Sequence, residues 1–285
     1  MSQAVKEQLE HQPKPFIKWA GGKTQLLPEI LSRLPKNYNN YFEPFLGGGA
    51  VFFALNTATK PREAFLSDLS KDLITTYKVI KNDYKVLTNE LSNYEYNEEF
   101  YYSLRAQDRD KENYKKLSNL KIAARFIYLN KTCFNGLYRV NSKGEFNVPF
   151  GKYKNPSFFK IENLKACSKA LESAVLNTAN YLEILKQIKK NDLVYLDPPY
   201  SPLNKTSSFT SYTKDGFNND KQKELRDFCI EIDNIGAKFI LSNSYNTLIL
   251  KLYKEFKIET IKAKRAINSK ANKRNSINEV IVRNY

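Results

Sequence analysis

Histidine is almost absent from this chain. The only one, His11, sits in a polar N-terminal tail, so acid–base chemistry through an imidazole is not expected. Cysteine is scarce as well: Cys133, Cys167 and Cys229 are odd in number and show no paired spacing. That argues against a disulfide frame or a thiolate zinc site, leaves no metal site in prospect, and fits the reduced thiols of a cytoplasmic protein. Long apolar runs are missing. The longest, Ala50 to Leu55, falls far short of the ~20 residues that cross a bilayer. The N-terminal stretch with Glu7, Glu10 and His11 has no signal-peptide core, and residues 1–14 read as a flexible leader. Acid is in short supply too. Lys and Arg number 46 against 30 Asp and Glu, an excess of 16 that points to a polyanionic partner, nucleic acid ahead of an anionic membrane. With 285 residues, among them 19 Tyr and 18 Phe, the chain can bury a full core in one large domain or two smaller ones.

One stretch organises the rest. Leu193-Val194-Tyr195-Leu196 reads as a short buried strand, and Asp197-Pro198-Pro199-Tyr200 ends it. Two prolines forbid both further sheet pairing and a helix start. A carboxylate, a stiff bend and an aromatic ring are thereby held at the carboxyl end of a strand, the edge where open α/β sheets bind ligands. Asp197 and the Pro198 carbonyl suit the two N–H protons of a flat, neutral amine, and Tyr200 suits stacking on its ring. Taken alone, the four residues are equally a strand followed by a proline-stiffened turn.

Upstream, Phe16-Ile17-Lys18-Trp19-Ala20-Gly21-Gly22-Lys23-Thr24 precedes Leu26, Leu27, Ile30 and Leu31 at helical spacing. It is no P-loop, because Ile17 stands where that pattern needs a glycine. A glycine pair opening a helix at Lys23 makes either an anion-binding corner or an ordinary helix entry. Next, a strand near Tyr41 runs through Glu43-Pro44-Phe45-Leu46-Gly47-Gly48-Gly49 into a helix, a geometry that brings backbone N–H groups close to a nucleotide-like ligand. Phe52 replaces the third glycine of the dinucleotide fingerprint. A second strand, Glu63 to Leu66, leads to Asp68, 19 residues after Gly49, where nucleoside-binding folds place the acid for ribose hydroxyls.

Apolar steps of four and three over Leu73, Tyr77, Ile80, Tyr84, Leu87 and Leu91 predict a long amphipathic helix, with helical, charged texture up to about Lys131. Phe134 to Gly151 changes texture and predicts a hairpin, with strands either side of Ser142-Lys143-Gly144. Its Asn, Arg and Leu suit base edges in a major groove, although any polar surface hairpin looks similar. Further helices are expected at Ile161 to Leu171, through Leu225 to Ile232 with a stop at Gly236, and at Leu248 to Phe256. Seven strands are expected in all, near 41, 64, 174, 193, 238, 258 and 280. The loop between the last two carries Lys262, Lys264, Arg265, Lys270, Lys273 and Arg274 without an acid, which suits phosphates.

Taken together, Phe16 to Lys23, Phe42 to Gly49, Phe134 to Gly151, Asp197 to Tyr200 and Glu279 to Tyr285 resemble the Dam-type DNA adenine-N6 methyltransferases, especially the DpnM-like members of restriction–modification systems. The pieces occur in that family's order over nearly the whole chain. The resemblance implies an α/β, seven-stranded, Rossmann-like S-adenosylmethionine methyltransferase fold with an inserted helical and β-hairpin DNA-recognition domain. The catalytic domain would comprise residues 1–80 and 174–285, and the recognition domain residues 81–173. It implies methylation of adenine on N6, usually in GATC, by base flipping and direct in-line transfer, in the cytoplasm and in possible partnership with a restriction endonuclease.

Carried over motif by motif, Asp197, Pro198, Pro199 and Tyr200 would be catalytic. Trp19, Lys23, Phe45, Gly47, Asp68 and Asp197 would hold the cofactor, and Lys18, Asn135, Leu137, Arg139 and Pro149 would meet DNA bases. Arg265 and Asn268 fall in the basic loop expected near phosphates. The chain departs from the pattern at Ala179-Asn180-Tyr181, where relatives carry Gly-Asp-Phe; the Asn180 oxygen and the Tyr181 ring can still serve an adenine. Three rival readings stand beside this one: methylation of RNA or of a protein amide, a non-catalytic nucleic-acid-binding module, and an NAD-dependent oxidoreductase.

Overall fold

The structure is a computed structural model, and it describes residues 12–19, 21–58, 61–200, 217–264 and 276–285. His11 and most of the expected leader, the Ser/Thr-rich stretch after Tyr200, and the basic loop from Arg265 to Arg274 lie outside the described residues. Seven strands form where the pattern places them: β1 (Tyr41–Glu43), β2 (Ala64–Asp68), β3 (Ala174–Thr178), β4 (Leu193–Leu196), β5 (Lys238–Ser244), β6 (Lys257–Lys264) and β7 (Ser276–Arg283). They build one sheet in the order β3-β2-β1-β4-β5-β7-β6. β1 pairs parallel with β2 and β4, and β4 with β5, whereas β7 runs antiparallel to both β5 and β6. The order turns back between β1 and β4, so the carboxyl ends of those two strands form the switch point of an open α/β sheet. This is the expected Rossmann-like α/β architecture.

The described helices are α1 (Leu27–Leu31), α2 (Ala50–Ala58), α3 (Lys71–Ser92), α4 (Glu98–Ala106), α5 (Lys111–Lys115), α6 (Asn119–Thr132), α7 (Ile161–Leu171), α8 (Asn219–Ile235) and α9 (Thr247–Leu252). The chain divides into two compact units. One comprises Met1–Gly22, Gly47–Lys60 and Ser70–Thr178; the other comprises Lys23–Leu46, Pro61–Leu69 and Ala179–Tyr285.

The second unit holds six of the strands. All four residues of β4 are buried, as a strand covered on both faces requires. Val194 and Leu196 pack with Phe239 and Leu241 of β5, Val280 and Val282 of β7, and Leu225, Phe228 and Ile232 of α8. Asn218 caps α8 by accepting from the N–H groups of Asp220 and Lys221, and Gly236, at φ +78°, ends it in the left-handed conformation that glycine adopts without strain. The helix expected over 248–256 ends at Leu252. Only four residues then remain before β6 begins at Lys257, and the chain uses them to turn, the Phe256 N–H bonding the Tyr253 carbonyl.

The first unit is mostly helical. Leu73, Tyr77, Ile80, Leu87 and Leu91 of α3 are buried, as their spacing predicts, but the helix is kinked at Asp83, whose φ of −139° is not helical. α6 buries Phe126 and Ile127 together with Arg125 and Asn130, two polar residues that the apolar pattern does not mark. The segment 134–151 does not form the expected regular strands. It is a ribbon with two isolated bridges, Cys133 to Phe150 and Val140 to Phe146. Two features interrupt the ladder: Asn135 is left-handed at φ +57°, and Pro149 has no N–H to donate.

Candidate active site and nucleic-acid interface

Within the second unit, Asp197 follows directly on β4. Lys23, only 5% exposed, places Nζ 2.7 Å from Asp197 Oδ1. Ser242 on β5 donates to the same oxygen at 2.9 Å, and the Tyr195 hydroxyl lies 3.1 Å from Ser242 Oγ. Among the described residues both partners engage Oδ1 and neither engages Oδ2. Burial raises the Asp197 carboxyl above its usual value, against the opposing pull of Lys23 and Ser242.

Pro198 and Pro199 differ in the same way. Gln222 donates to the Pro199 carbonyl at 3.3 Å and is itself held by Asn243 at 3.1 Å, both side chains fully buried. Nothing among the described residues donates to the Pro198 carbonyl. Lys23 Nζ lies 4.7 Å from the centre of the Tyr200 ring, and the Tyr200 hydroxyl donates to Glu279 Oε2 at 2.5 Å. The resulting cluster holds two carboxylates, Asp197 and Glu279, against one lysine. Lys23 therefore does not stand at an open anion-binding corner; it is a buried counter-ion behind a short 3₁₀ turn, Lys23–Gln25.

Beside this cluster, in the same unit, the half-buried Phe45 ring lies 5.2 Å from that of Tyr181. The Tyr181 hydroxyl donates to Glu224 at 2.7 Å, so the ring is anchored. Asp68 ends β2, and its carbonyl accepts from the Ala179 N–H at 3.3 Å, which brings it next to the Ala179-Asn180-Tyr181 segment. Asn180 caps the following 3₁₀ turn: its Oδ1 accepts from the Leu182 N–H at 3.0 Å, and Glu183 takes the Asn180 N–H at 2.8 Å. The Asn180 side chain also accepts from the Glu183 backbone in a capping box, so that oxygen is committed to the turn.

The other predicted residues belong to the first unit. A Cβ on Gly47, at φ +46°, would stand 2.6 Å from Cδ1 of Trp19, so only glycine lets that ring close over the turn. Trp19 also stacks on Tyr138, with ring centres 5.5 Å apart. Lys18 is exposed, yet the buried Asn130 side chain clamps its backbone, accepting from its N–H at 2.8 Å and donating to its carbonyl at 2.7 Å. The Lys18 side chain lies against Gly136, where a Cβ would meet it. Asn135 and Pro149 are exposed, and Leu137 and Arg139 are half-buried. The Phe134 N–H bonds the Pro149 carbonyl at 2.8 Å, and Arg139 Nε donates to Asn147 at 2.8 Å. Lys18, Asn135, Leu137, Arg139 and Pro149 therefore lie on one ribbon and its neighbouring strap. Arg265 and Asn268 lie outside the described residues.

The ribbon is anchored from within. Asp108 accepts the Phe146 N–H at 2.8 Å, pairs with Arg125 at 2.9 Å and contacts Arg109. Arg105 and Tyr101 both donate to the Val148 carbonyl. These anchors carry no sequence signal, because a buried Asp–Arg pair reads as ordinary surface charge in a chain rich in both. Ser242, Gln222, Asn243 and Glu279 escape notice because their partners lie far away along the chain. Glu279 falls inside a matching motif, yet nothing in the motif assigns it a task.

The fold is that of a Rossmann-like methyltransferase, with the Asp197 cluster at the carboxyl end of β4. The model of the D12 class N6 adenine-specific DNA methyltransferases matches residues 19–267. The chain belongs to that family and is an adenine-specific DNA methyltransferase. It is 48% identical to the type II methyltransferase M.MjaIII of Methanocaldococcus jannaschii, over 95% of this chain and 99% of that protein. It is 43% identical to the type II methyltransferase M1.LlaDCHI of Lactococcus lactis subsp. cremoris, over 95% of each chain. It is 35% identical to a DNA adenine methylase of Salmonella typhi, over 93% of each. No described helix is long and apolar enough to cross a membrane.

Proposed function

We propose that the protein methylates adenine N6 within a specific duplex sequence, GATC, after flipping the base out of the stack. The observation that carries the reading is the pair of open acceptors at the end of β4. Asp197 Oδ2 and the Pro198 carbonyl are without donors among the described residues, while their neighbours Oδ1 and the Pro199 carbonyl are both taken. Each open acceptor receives one N–H of the flipped adenine, which draws the nitrogen lone pair out of ring conjugation. Tyr200 stacks on the base and holds it in line. Unpairing the base costs a few kcal/mol, least where the pair is already weakened. Positioning and charge complementarity supply the acceleration.

The donor set of the second unit fits S-adenosylmethionine. Asp68 offers a carboxylate to ribose hydroxyls, Phe45 and Tyr181 offer apolar ring faces to an adenine, and Asn180 meets its amine on leaving the capping box it forms with Glu183. Asp197 and Glu279 outnumber Lys23, which suits a cation. When bound, S-adenosylmethionine supplies an electrophilic methyl group.

Residues 81–173 act as the recognition domain, with residues 1–80 and 174–285 as the catalytic one. Asn135, Leu137, Arg139 and Pro149, with Lys18, read base edges, and Arg139 is suited to a guanine. The net charge of +16 supports docking on phosphates, a role assigned also to Arg265 and Asn268. Relatives named type II methyltransferases support a role in restriction–modification; the protein acts in the cytoplasm beside a nuclease.

The test is transfer of a labelled methyl group from S-adenosylmethionine to plasmid DNA, followed by digestion with nucleases that distinguish methylated from unmethylated GATC. Incorporation with protection is expected. Incorporation without protection removes the GATC assignment and leaves the catalytic one.

A further inference from the structure

We propose that Glu279 is a positioning residue for methyl transfer: through the Tyr200 hydroxyl, it fixes the ring on which the target adenine stacks. The proposal rests on the reading of Asp197 to Tyr200 given above and adds to it a residue that does not itself touch the substrate.

Topology puts Glu279 there. β1, β4 and β5 run parallel, so their carboxyl ends share one edge. β7 runs the other way, and its register sets Glu279 opposite Ser244, the last residue of β5. The reversed strand therefore brings residues near its own start to the edge where the parallel strands end. A sheet built wholly of parallel strands would deliver a strand terminus and its loop to the same spot.

The side chain is expensive to keep there. Glu279 is only 8% exposed, and a buried carboxylate costs several kcal/mol unless it is bonded. Its neighbours in β7, Val280, Ile281 and Val282, are apolar and buried, and an apolar residue at 279 would continue that run. The carboxylate instead accepts the Tyr200 hydroxyl at 2.5 Å, a short charge-assisted bond. Burial, Asp197 and Glu279 push the Tyr200 hydroxyl well above its usual value, so it stays a neutral donor.

Tyr200 needs such a tether. It lies four residues past the end of β4, beyond two prolines and outside any strand or helix. Lys23 near the ring and Glu279 at the hydroxyl are the contacts that orient it among the described residues. A ring held at its far end by a sheet-borne carboxylate presents a fixed face to the base, and small errors in such placement cost large factors in rate.

The experiment is a double-mutant cycle read by single-turnover methylation under saturating cofactor and DNA. Its second readout is emission from 2-aminopurine placed at the target adenine, which reports how the flipped base is held. Glu279→Leu is expected to slow transfer by about 10- to 100-fold, change the KM for DNA by less than about threefold, and raise 2-aminopurine emission as stacking is lost. Glu279→Gln, whose amide oxygen still accepts, is expected to retain most of the rate. In a Tyr200→Phe background, Glu279→Leu should cost nothing further. An unchanged rate, or an equal loss in the Tyr200→Phe background, overturns the proposal.

Should Glu279→Leu fail to fold, Glu279→Asp decides, because it keeps the charge and withdraws the acceptor by one methylene. A slowed transfer then supports the tether and an unchanged one overturns it. Asp197→Ala, assayed in parallel, separates this proposal from the reading beneath it. Turnover near the original rate in that variant refutes the assignment of the edge itself. Loss of turnover there with an unaffected Glu279 series refutes only the tether.

Discussion

The edge after β4 and the ribbon at 134–151 both lack regular secondary structure, yet they are held in opposite ways. At the edge, functional atoms are fixed by buried side chains whose own bonds are satisfied: Lys23 and Ser242 on Asp197, Gln222 and Asn243 on Pro199, Glu279 on Tyr200. On the ribbon, the backbone is what is fixed. Asp108, Arg105 and Tyr101 bond main-chain groups of Phe146 and Val148, leaving Asn135 and Pro149 exposed and Arg139 half-buried. Chemistry on an amine requires acceptors placed to a fraction of an ångström in a poorly solvated setting. Reading a groove requires side chains that meet a wet, deformable partner. On the proposed function, the molecule stiffens side chains for the first task and main chain for the second.

The sharpest way to break this contrast is to remove the ribbon's anchor. Asp108→Ala leaves Arg125 buried without its carboxylate and frees the Phe146 N–H, so a loss of about 3–5 kcal/mol in stability is expected. Denaturant unfolding measures it, and a loss below about 1 kcal/mol would show that the buried pair is not what holds the ribbon. Next in size, Asp197→Ala should cut methyl transfer by about 10²–10³-fold, the usual price of one lost preorganised contact, with DNA affinity little changed. Single-turnover rates and filter binding check the two halves of that statement separately. Arg139→Ala should relax sequence choice by about 1–3 kcal/mol at one base pair while leaving the rate on the best site nearly intact. Competition between duplexes altered at single positions reads this, and a uniform loss across all duplexes would reassign Arg139 to the phosphates.

The smallest expected effect is on pH. Burial raises the carboxyls of both Asp197 and Glu279, and Lys23 opposes the shift in each. A raised carboxyl pKa means that the active, ionised form is lost on acidification sooner than for an ordinary side chain. The acid limb of the rate should therefore lie above the usual carboxylate range and follow Asp197, because a neutral group at 279 still accepts from Tyr200. Lys23→Met removes the opposing pull and should move that limb to higher pH. A limb unmoved by Lys23→Met would mean that neither carboxylate governs it.

Much of the scaffold was legible in the chain itself. Strands short enough to be buried whole, such as Leu193 to Leu196, and helices with steps of three and four, such as α3, announce themselves through local patterns of burial. Asn218 and Gly236 mark the ends of α8 through local hydrogen bonding and a left-handed turn. The irregular ribbon was less legible. Its turn chemistry predicts a hairpin, but the positive φ of Asn135 and the anchors from α4 and α6 are set by residues distant in the chain.

What the sequence determined by itself was the order of the elements, the excess of positive charge, and the placing of an acid, two prolines and an aromatic ring after one strand. These are local or compositional properties, carried by a few consecutive residues. Tertiary structure decided which acceptors stay open among the described residues. Oδ1 of Asp197 is occupied because Lys23 and Ser242 meet there, and Tyr200 is tethered because β7 runs against its neighbours and delivers Glu279 to the same edge. Partners separated by 45, 79 and 174 residues leave no periodic trace, since a hydrogen bond depends on distance in space and not along the chain.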